Sequence, residues 1–348
     1  MTTLLSLPTE LLTHVITYLN GPFNLRHGIP NRSRIVTLLS LCLVNHSLRN
    51  LAQPFLYSYA KIDKWRKFRP LATSDGFSRF GMRELHLAGA GYPQTGGVGY
   101  ETAKALIKCA GEKGLRKLTL SGFLDLDVKD LILAGPDLES LDLEAVHVGW
   151  DEPFSTEGWR APFNLTHLGL QYLTRIPNHF LAALLDSSPH LTSLTIGCEG
   201  AGQASPPTKS LPALSTIASQ ITSLALGPHA EYLVTDLSSF SSLSHLTFEH
   251  GFDLHSIFEI TQTLHSRSPT ITRLTLPVSG RQVAASLHLW TDIMGSGGLG
   301  NLELITWSKM SEGTVERMSG DLLGGREEVR MEGELGTGDY EDGIGVLR

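Results

Sequence analysis

The sequence predicts an α/β protein, a small all-α module followed by an irregular stack of strand–turn–helix units. Its parallel strands should lie on the concave face and its helices on the convex face. Three observations predict it. Residues 7–19 (LPTELLTHVITYL) and 41–57 (LCLVNHSLRNLAQPFLY) carry apolar residues at helical spacing. From Met82 a six-residue pattern, apolar-x-x-Leu-x-apolar, returns nine times at intervals of 22 to 33 residues. Between its copies run stretches of helical periodicity such as YETAKALIKCA, VKDLILA, NHFLAALLDSS, HSIFEITQTLHS and RQVAASLHLWTDIM.

The first helix should open at Pro8, whose missing N–H has no intrahelical partner at the first helical position. Glu10 favours the positive end of the helix dipole. Leu11, Leu12, Val15, Ile16 and Leu19 form one wide apolar face, and Asn20-Gly21-Pro22 stops the helix. In the second stretch Leu41, Val44, Leu48 and Leu51 repeat the pattern as far as Pro54, and Phe55, Leu56, Tyr57 and Tyr59 add an apolar and aromatic anchor. Two short amphipathic helices cannot close a core alone.

This pair of stretches resembles the F-box. Leu7, Pro8, Glu10, Leu11, Leu12, Ile16, Tyr18 and Leu19 match its opening, and Leu43, Val44, Asn45, Leu48, Arg49, Pro54, Leu56 and Tyr57 its close. The departure is the connector GPFNLRHGIPNRSR, longer and more polar than the family's. The resemblance implies a module over residues 1–60 that docks on the Skp-type adaptor of a cullin ubiquitin ligase. Leu7, Pro8, Leu11, Ile16, Val44 and Leu48 would engage that adaptor.

The nine copies open at Met82, Leu115, Leu138, Leu165, Leu191, Ile221, Leu243, Ile271 and Leu302, with Leu in fourth place in all but the last. Their mean interval of about 27.5 residues lies in the range of a leucine-rich repeat. Each copy reads as a short strand with buried leucines. Units of this size hide their apolar faces only by stacking into a solenoid, here over residues 81–310. This part resembles the leucine-rich half of F-box substrate receptors. The family's Asn or Cys in ninth place is absent, with Ala90, Phe123, Val146 and Leu173 in the first copies, so the repeats should be irregular.

Residues flanking the buried leucines should face outward. The candidate target-binding set is Glu84, His86, Lys117, Asp142, Glu144, Gln171, His245, Glu249 and Arg273, with His167 among the outward polar positions and Trp150 and Trp159 on an aromatic insert between copies. Acids outnumber bases there. A target with a basic or polar face is expected, because a phosphorylated motif would call for clustered Arg.

Charge is uneven: the chain carries −7 in all, yet residues 1–70 hold nine Lys or Arg against Glu10 and Asp63. Lys61, Lys64, Arg66, Lys67 and Arg69 read as a solvated linker over 61–80 rather than a nucleic-acid patch. Residues 311–348 hold ten acids against four Arg among many Gly, and read as a disordered acidic tail. No run of about 18 apolar residues and no basic-then-apolar leader is present, so an intracellular protein, cytoplasmic or nuclear, is expected. Cys42, Cys109 and Cys198 are odd in number and far apart, which suggests buried free thiols.

Catalytic signals are weak. The Gly-rich stretch 89–99 follows a predicted strand and precedes a predicted helix, as phosphate loops do, but Gly97-Val98 stand where a P-loop needs Lys-Ser or Lys-Thr. His245, His250 and His255 do not share a face, so no metal site is expected. The expectation is a non-catalytic adaptor without cofactor, metal, nucleic acid or membrane. Its partners are the Skp-type adaptor, through it a cullin, and an unknown target. The alternatives are a leucine-rich binding module outside ubiquitination and, remotely, a nucleotide-dependent enzyme using the glycine loop.

Overall fold

In the computed structural model the described residues are 8–20, 32–62, 81–89, 98–123, 126–146, 161–173, 178–198, 212–227, 230, 237, 239–249, 257, 271–279, 304–310 and 330–335. They form two compact units, residues 1–141 with 146–150, and residues 142–145 with 151–348.

Helix α1 (Thr9–Asn20) starts one residue later than the sequence suggests. The Pro8 carbonyl accepts the Leu12 N–H at 3.1 Å, which makes Pro8 the capping residue. Its apolar face is also narrower than expected. Leu12 and Ile16 are buried, while Leu11 and Val15 are exposed. The second stretch is not one helix but two, α2 (Arg32–Val44) and α3 (His46–Tyr57), and α2 begins inside the supposed connector. The break is Asn45. Its backbone is extended (φ −163, ψ 171) and its side chain accepts the Leu48 N–H at 2.8 Å, a capping bond that a short amide makes well. Pro54 lies within α3 instead of ending it. The Arg49 Nε donates to the Cys42 carbonyl at 3.0 Å and ties the end of α2 to α3. Ile16, Leu38, Cys42 and Ala52 form the module's core, with Leu41, Leu51, Phe55 and Leu56 packed against it. Burial raises the Cys42 thiol pKa, and Arg49 opposes that only in part.

The first unit continues with β1 (Tyr59–Ile62), β2 (Glu84–Ala88), helix α4 (Tyr100–Gly111), β3 (Lys117–Ser121), a 3₁₀ helix (Val128–Ala134) and the start of β4 (Ser140–Glu144). β1 was not expected; it directly follows α3 and pairs in parallel with β2. Leu85 lies beside Leu118 and Leu87 beside Leu120. Helix α4 buries Ala103, Leu106, Ile107 and Ala110.

In the second unit β5 (His167–Leu173), helix α5 (Asn178–Asp186), β6 (Ser193–Cys198), helix α6 (Pro212–Ile217), β7 (Ser223–Leu226), β8 (His245–Phe248), β9 (Arg273–Ser279), β10 (Leu304–Met310) and β11 (Arg330–Leu335) follow. Neighbouring strands from β5 to β11 pair in parallel. Each of the nine sequence copies opens two residues before a strand, β2 through β10, and the fourth-place residues Leu168, Leu194, Leu224, Leu246, Leu274 and Ile305 stand in register. Strand β11 corrects the reading of the whole tail as unstructured. Its six residues add to β10, whose free edge offers backbone partners to any segment that can extend. The helical patterns at 281–294 and, apart from buried Ile257, at 255–266 lie outside the described residues. Among the described residues no helix is long and apolar enough to cross a membrane.

A hydrogen-bond device repeats at the strand entrances. In the second unit the carbonyls of Thr166, Thr192, Thr222 and Ser244 each accept two successive N–H groups of the next copy, at 2.9–3.0 Å. The hydroxyls of Thr192, Thr222, Ser244 and Thr272 donate to the same carbonyls at 3.0–3.4 Å. In the first unit the Ser58, Arg83 and Arg116 carbonyls accept pairs of N–H groups alike. In six of the nine copies the second-place carbonyl therefore supplies a ladder of its own, without the Asn or Cys of the ninth place. Replacing Thr192, Thr222 and Thr272 together by Val keeps their shape and deletes three hydroxyls. The expected cost is about 1–2 kcal/mol, read by denaturant unfolding, with faster hydrogen exchange confined to β6–β9.

Candidate functional site

Two surfaces stand out, one in each unit. In the first, seven of the nine large exposed apolar side chains among the described residues belong to α1 and α2. On α2, Ile35, Leu39 and Leu43 recur every four residues beside Val36 and Val44, on the flank of the line of buried Leu38 and Cys42. The apolar surface of the helix therefore runs on from its buried line into solvent, wider than packing within the module uses. Leu43 is 80% exposed, Val44 63% and Leu11 51%.

The six residues expected to engage an adaptor divide accordingly. Pro8, Leu11 and Val44 are exposed, Leu7 lies outside the described residues, and Ile16 (2% exposed) and Leu48 (3%) are core residues. Ile16 belongs to the buried core of the module, and Leu48, whose N–H is capped by Asn45, is a buried residue of α3.

The sheet face opposite the buried leucines carries the polar set. In the first unit, register places Glu84 beside Lys117, and His86 Nε2 lies 3.5 Å from Ser121 Oγ. In the second unit the outward residues form three rows running across the strands. The first row is His167, Ser193, Ser223, His245 and Arg273; the middle row is Gly169, Thr195, Ala225, Thr247 and Thr275, with Asp142 reaching over its start. At the strand ends lie Glu144, Gln171, Gly197, Gly227 and Glu249.

Two glycine positions let side chains cross this face. A Cβ at Gly169 would overlap the Asp142 carboxylate; without one, Asp142 Oδ1 reaches His167 Nε2 at 2.9 Å. His167 Nδ1 meets Ser193 Oγ at 2.9 Å, so the imidazole is held at both nitrogens. Carboxylate, imidazole and hydroxyl stand in the order of a nucleophilic relay. Ser193 opens β6, and its hydroxyl is taken up by His167 Nδ1, so the three side chains hold one another across the strands. Gly227 likewise leaves room for the Glu249 carboxylate, which accepts from Gln171 Nε2 at 2.7 Å. Tyr172, held at φ 51, has its phenol pKa raised by burial and then by Glu249 and Glu144. Burial, and then Arg273, lowers the His245 pKa.

The sequence placed Asp142, Glu144, Gln171, His245, Glu249 and Arg273 on this face, and the structure brings them to it. Ser193 and Tyr172 were missed, because a hydroxyl or phenol becomes informative only once its neighbours are in register. Trp150 and Trp159 lie outside the described residues, as do residues 90–97 of the glycine loop. On helix α4, which follows that stretch in the chain, Lys104 is bound to Asp130 at 2.9 Å, and Asp130 also accepts from the Tyr100 hydroxyl, whose pKa burial and Asp130 raise. Among the described residues no group of three or more His, Cys, Asp or Glu is placed to hold a metal ion.

A depressed His245 pKa favours the neutral ring in the fold. As pH falls below the ordinary value of 6.5 the unfolded chain takes the proton first, so the contribution of His245 to stability is lost in that range. Arg273→Gln should move the His245 midpoint part of the way up, because burial remains. NMR titration checks this, and an unchanged midpoint would contradict it. Compared with known proteins, the chain matches no family model and no curated protein.

Proposed function

We propose that the chain is a non-catalytic substrate receptor of a cullin ubiquitin ligase. Its N-terminal helices act as an F-box that docks on a Skp-type adaptor, and the leucine-rich sheet face of the second unit holds a target protein. The observation that carries the reading is the exposed apolar stripe of α2, with Leu11 and Val15 exposed on α1 as well. A soluble partner with an apolar groove would remove this surface from water, at roughly 1.5–3 kcal/mol for each aliphatic side chain fully covered. The adaptor contact accordingly shifts from Ile16 and Leu48 to Leu11, Val15, Leu43 and Val44. Regular repetition with in-register leucines supports the leucine-rich reading. Acceleration of ubiquitin transfer then comes from proximity, since holding the target near the conjugating enzyme raises its effective concentration.

One observation favours a second reading, in which the helices cap a binding module unrelated to ubiquitination. Strand β1 joins α3 straight to β2, as a cap at a sheet edge would. A cap, however, has no use for an apolar stripe turned to solvent.

Leu11→Asp with Leu43→Asp should weaken binding of a purified Skp-type adaptor by about 2 kcal/mol or more, roughly thirtyfold, with the melting transition unchanged. Ile16→Asp should lose both binding and the module's fold. Full adaptor binding by the Leu11/Leu43 variant would reject the docking surface.

A further inference from the structure

The sheet face of the second unit has opposite charge on its two edges, and this bears on what kind of target fits it. One edge is the row that ends in His245 and Arg273, with Arg273 exposed. At that end Arg273 supplies the charge, since the His245 pKa is lowered by burial and by Arg273 itself. His167, at the other end, is occupied by Asp142. The opposite edge carries Glu144 and Glu249, and Glu249 is held over Gly227 by Gln171. Between them runs the middle row, Asp142 at its start and then Gly, Thr and Ala residues.

The two edges are four residues apart along each strand, about 13 Å, and β4 to β9 spans about 24 Å across. An extended segment of about seven residues covers that span, and its side chains alternate between its two edges. Resting on the reading of this face as the target-holding face, we propose that it takes an extended peptide laid across the strands. Basic side chains of that peptide lie toward Glu144 and Glu249, and acidic side chains lie on the opposite edge toward Arg273. The recognised chemistry is alternation of charge, not net charge. A uniformly basic segment meets Arg273 unfavourably, and a uniformly acidic one meets Glu144 and Glu249.

The test uses the full chain and two fluorescein-labelled ten-residue peptides of equal composition, one alternating Lys and Glu, the other five Lys followed by five Glu. Fluorescence anisotropy at low salt should show the alternating peptide binding about tenfold more tightly. Glu249→Lys and Arg273→Glu should each weaken it about fivefold. The triple variant Glu144→Lys, Glu249→Lys, Arg273→Glu should restore binding, because the alternating peptide can turn over to meet the exchanged edges. Arg273 is exposed, so its variant folds even if the Glu249 one does not. Equal affinity for the two peptides, no binding of either, or variants without effect would overturn the proposal. Capture of a Skp-type adaptor by the same preparations keeps the two readings apart. Protein that captures the adaptor but does not discriminate the peptides overturns only this inference, and protein that discriminates the peptides without capturing the adaptor overturns only the ligase reading.

Discussion

Leucine stacking in register is the constraint on which the rest of this molecule depends. One buried leucine in the fourth place of a copy fixes which residues of that strand face out, because side chains alternate along a strand and a slip of one residue would turn every leucine to water. The carbonyl two residues earlier fixes the phase between copies by accepting two N–H groups from the next strand. Inward packing and entrance hydrogen bonds therefore determine the rows on the outer face. Asp142 meets His167 on the neighbouring strand because Gly169 clears its path, and Gln171 of β5 meets Glu249 at the end of β8 where Gly197 and Gly227 stand at the ends of the two strands between.

Much of this was legible in the sequence. The apolar-x-x-Leu-x-apolar pattern located β2 through β10, since a short strand with two buried residues has almost no other way to be written in a leucine-rich chain. Outward polar residues followed from the same alternation. What was not legible depended on partners. Thr and Ser in second place look like ordinary β-formers until the carbonyl of the preceding copy lies beneath them. Asn45 looked like a polar residue within a helix, and only its extended backbone makes it a cap. Helical spacing gave Leu11 and Ile16 to one face; tertiary packing kept Ile16 and released Leu11. Strand β11 alternates only Met331 and Leu335 about Gly333 with charged residues, too short and too acidic a pattern to announce a strand.

The two surfaces differ in physical kind, and the proposal gives each its own partner. The α1–α2 surface is apolar and suits a partner bound by burial. The sheet face of the second unit is polar and partly tied down by its own hydrogen bonds, which suits selection by charge pattern more than high affinity. A receptor needs both, a firm attachment to the ligase and a discriminating hold on its target.

The most direct test of this account is hydrogen–deuterium exchange of the full chain with and without a purified Skp-type adaptor. The account predicts slowed exchange confined to residues 9–17 and 35–48, with the strands of the second unit unchanged. Protection in the second unit, or no protection anywhere at saturating adaptor, would contradict it.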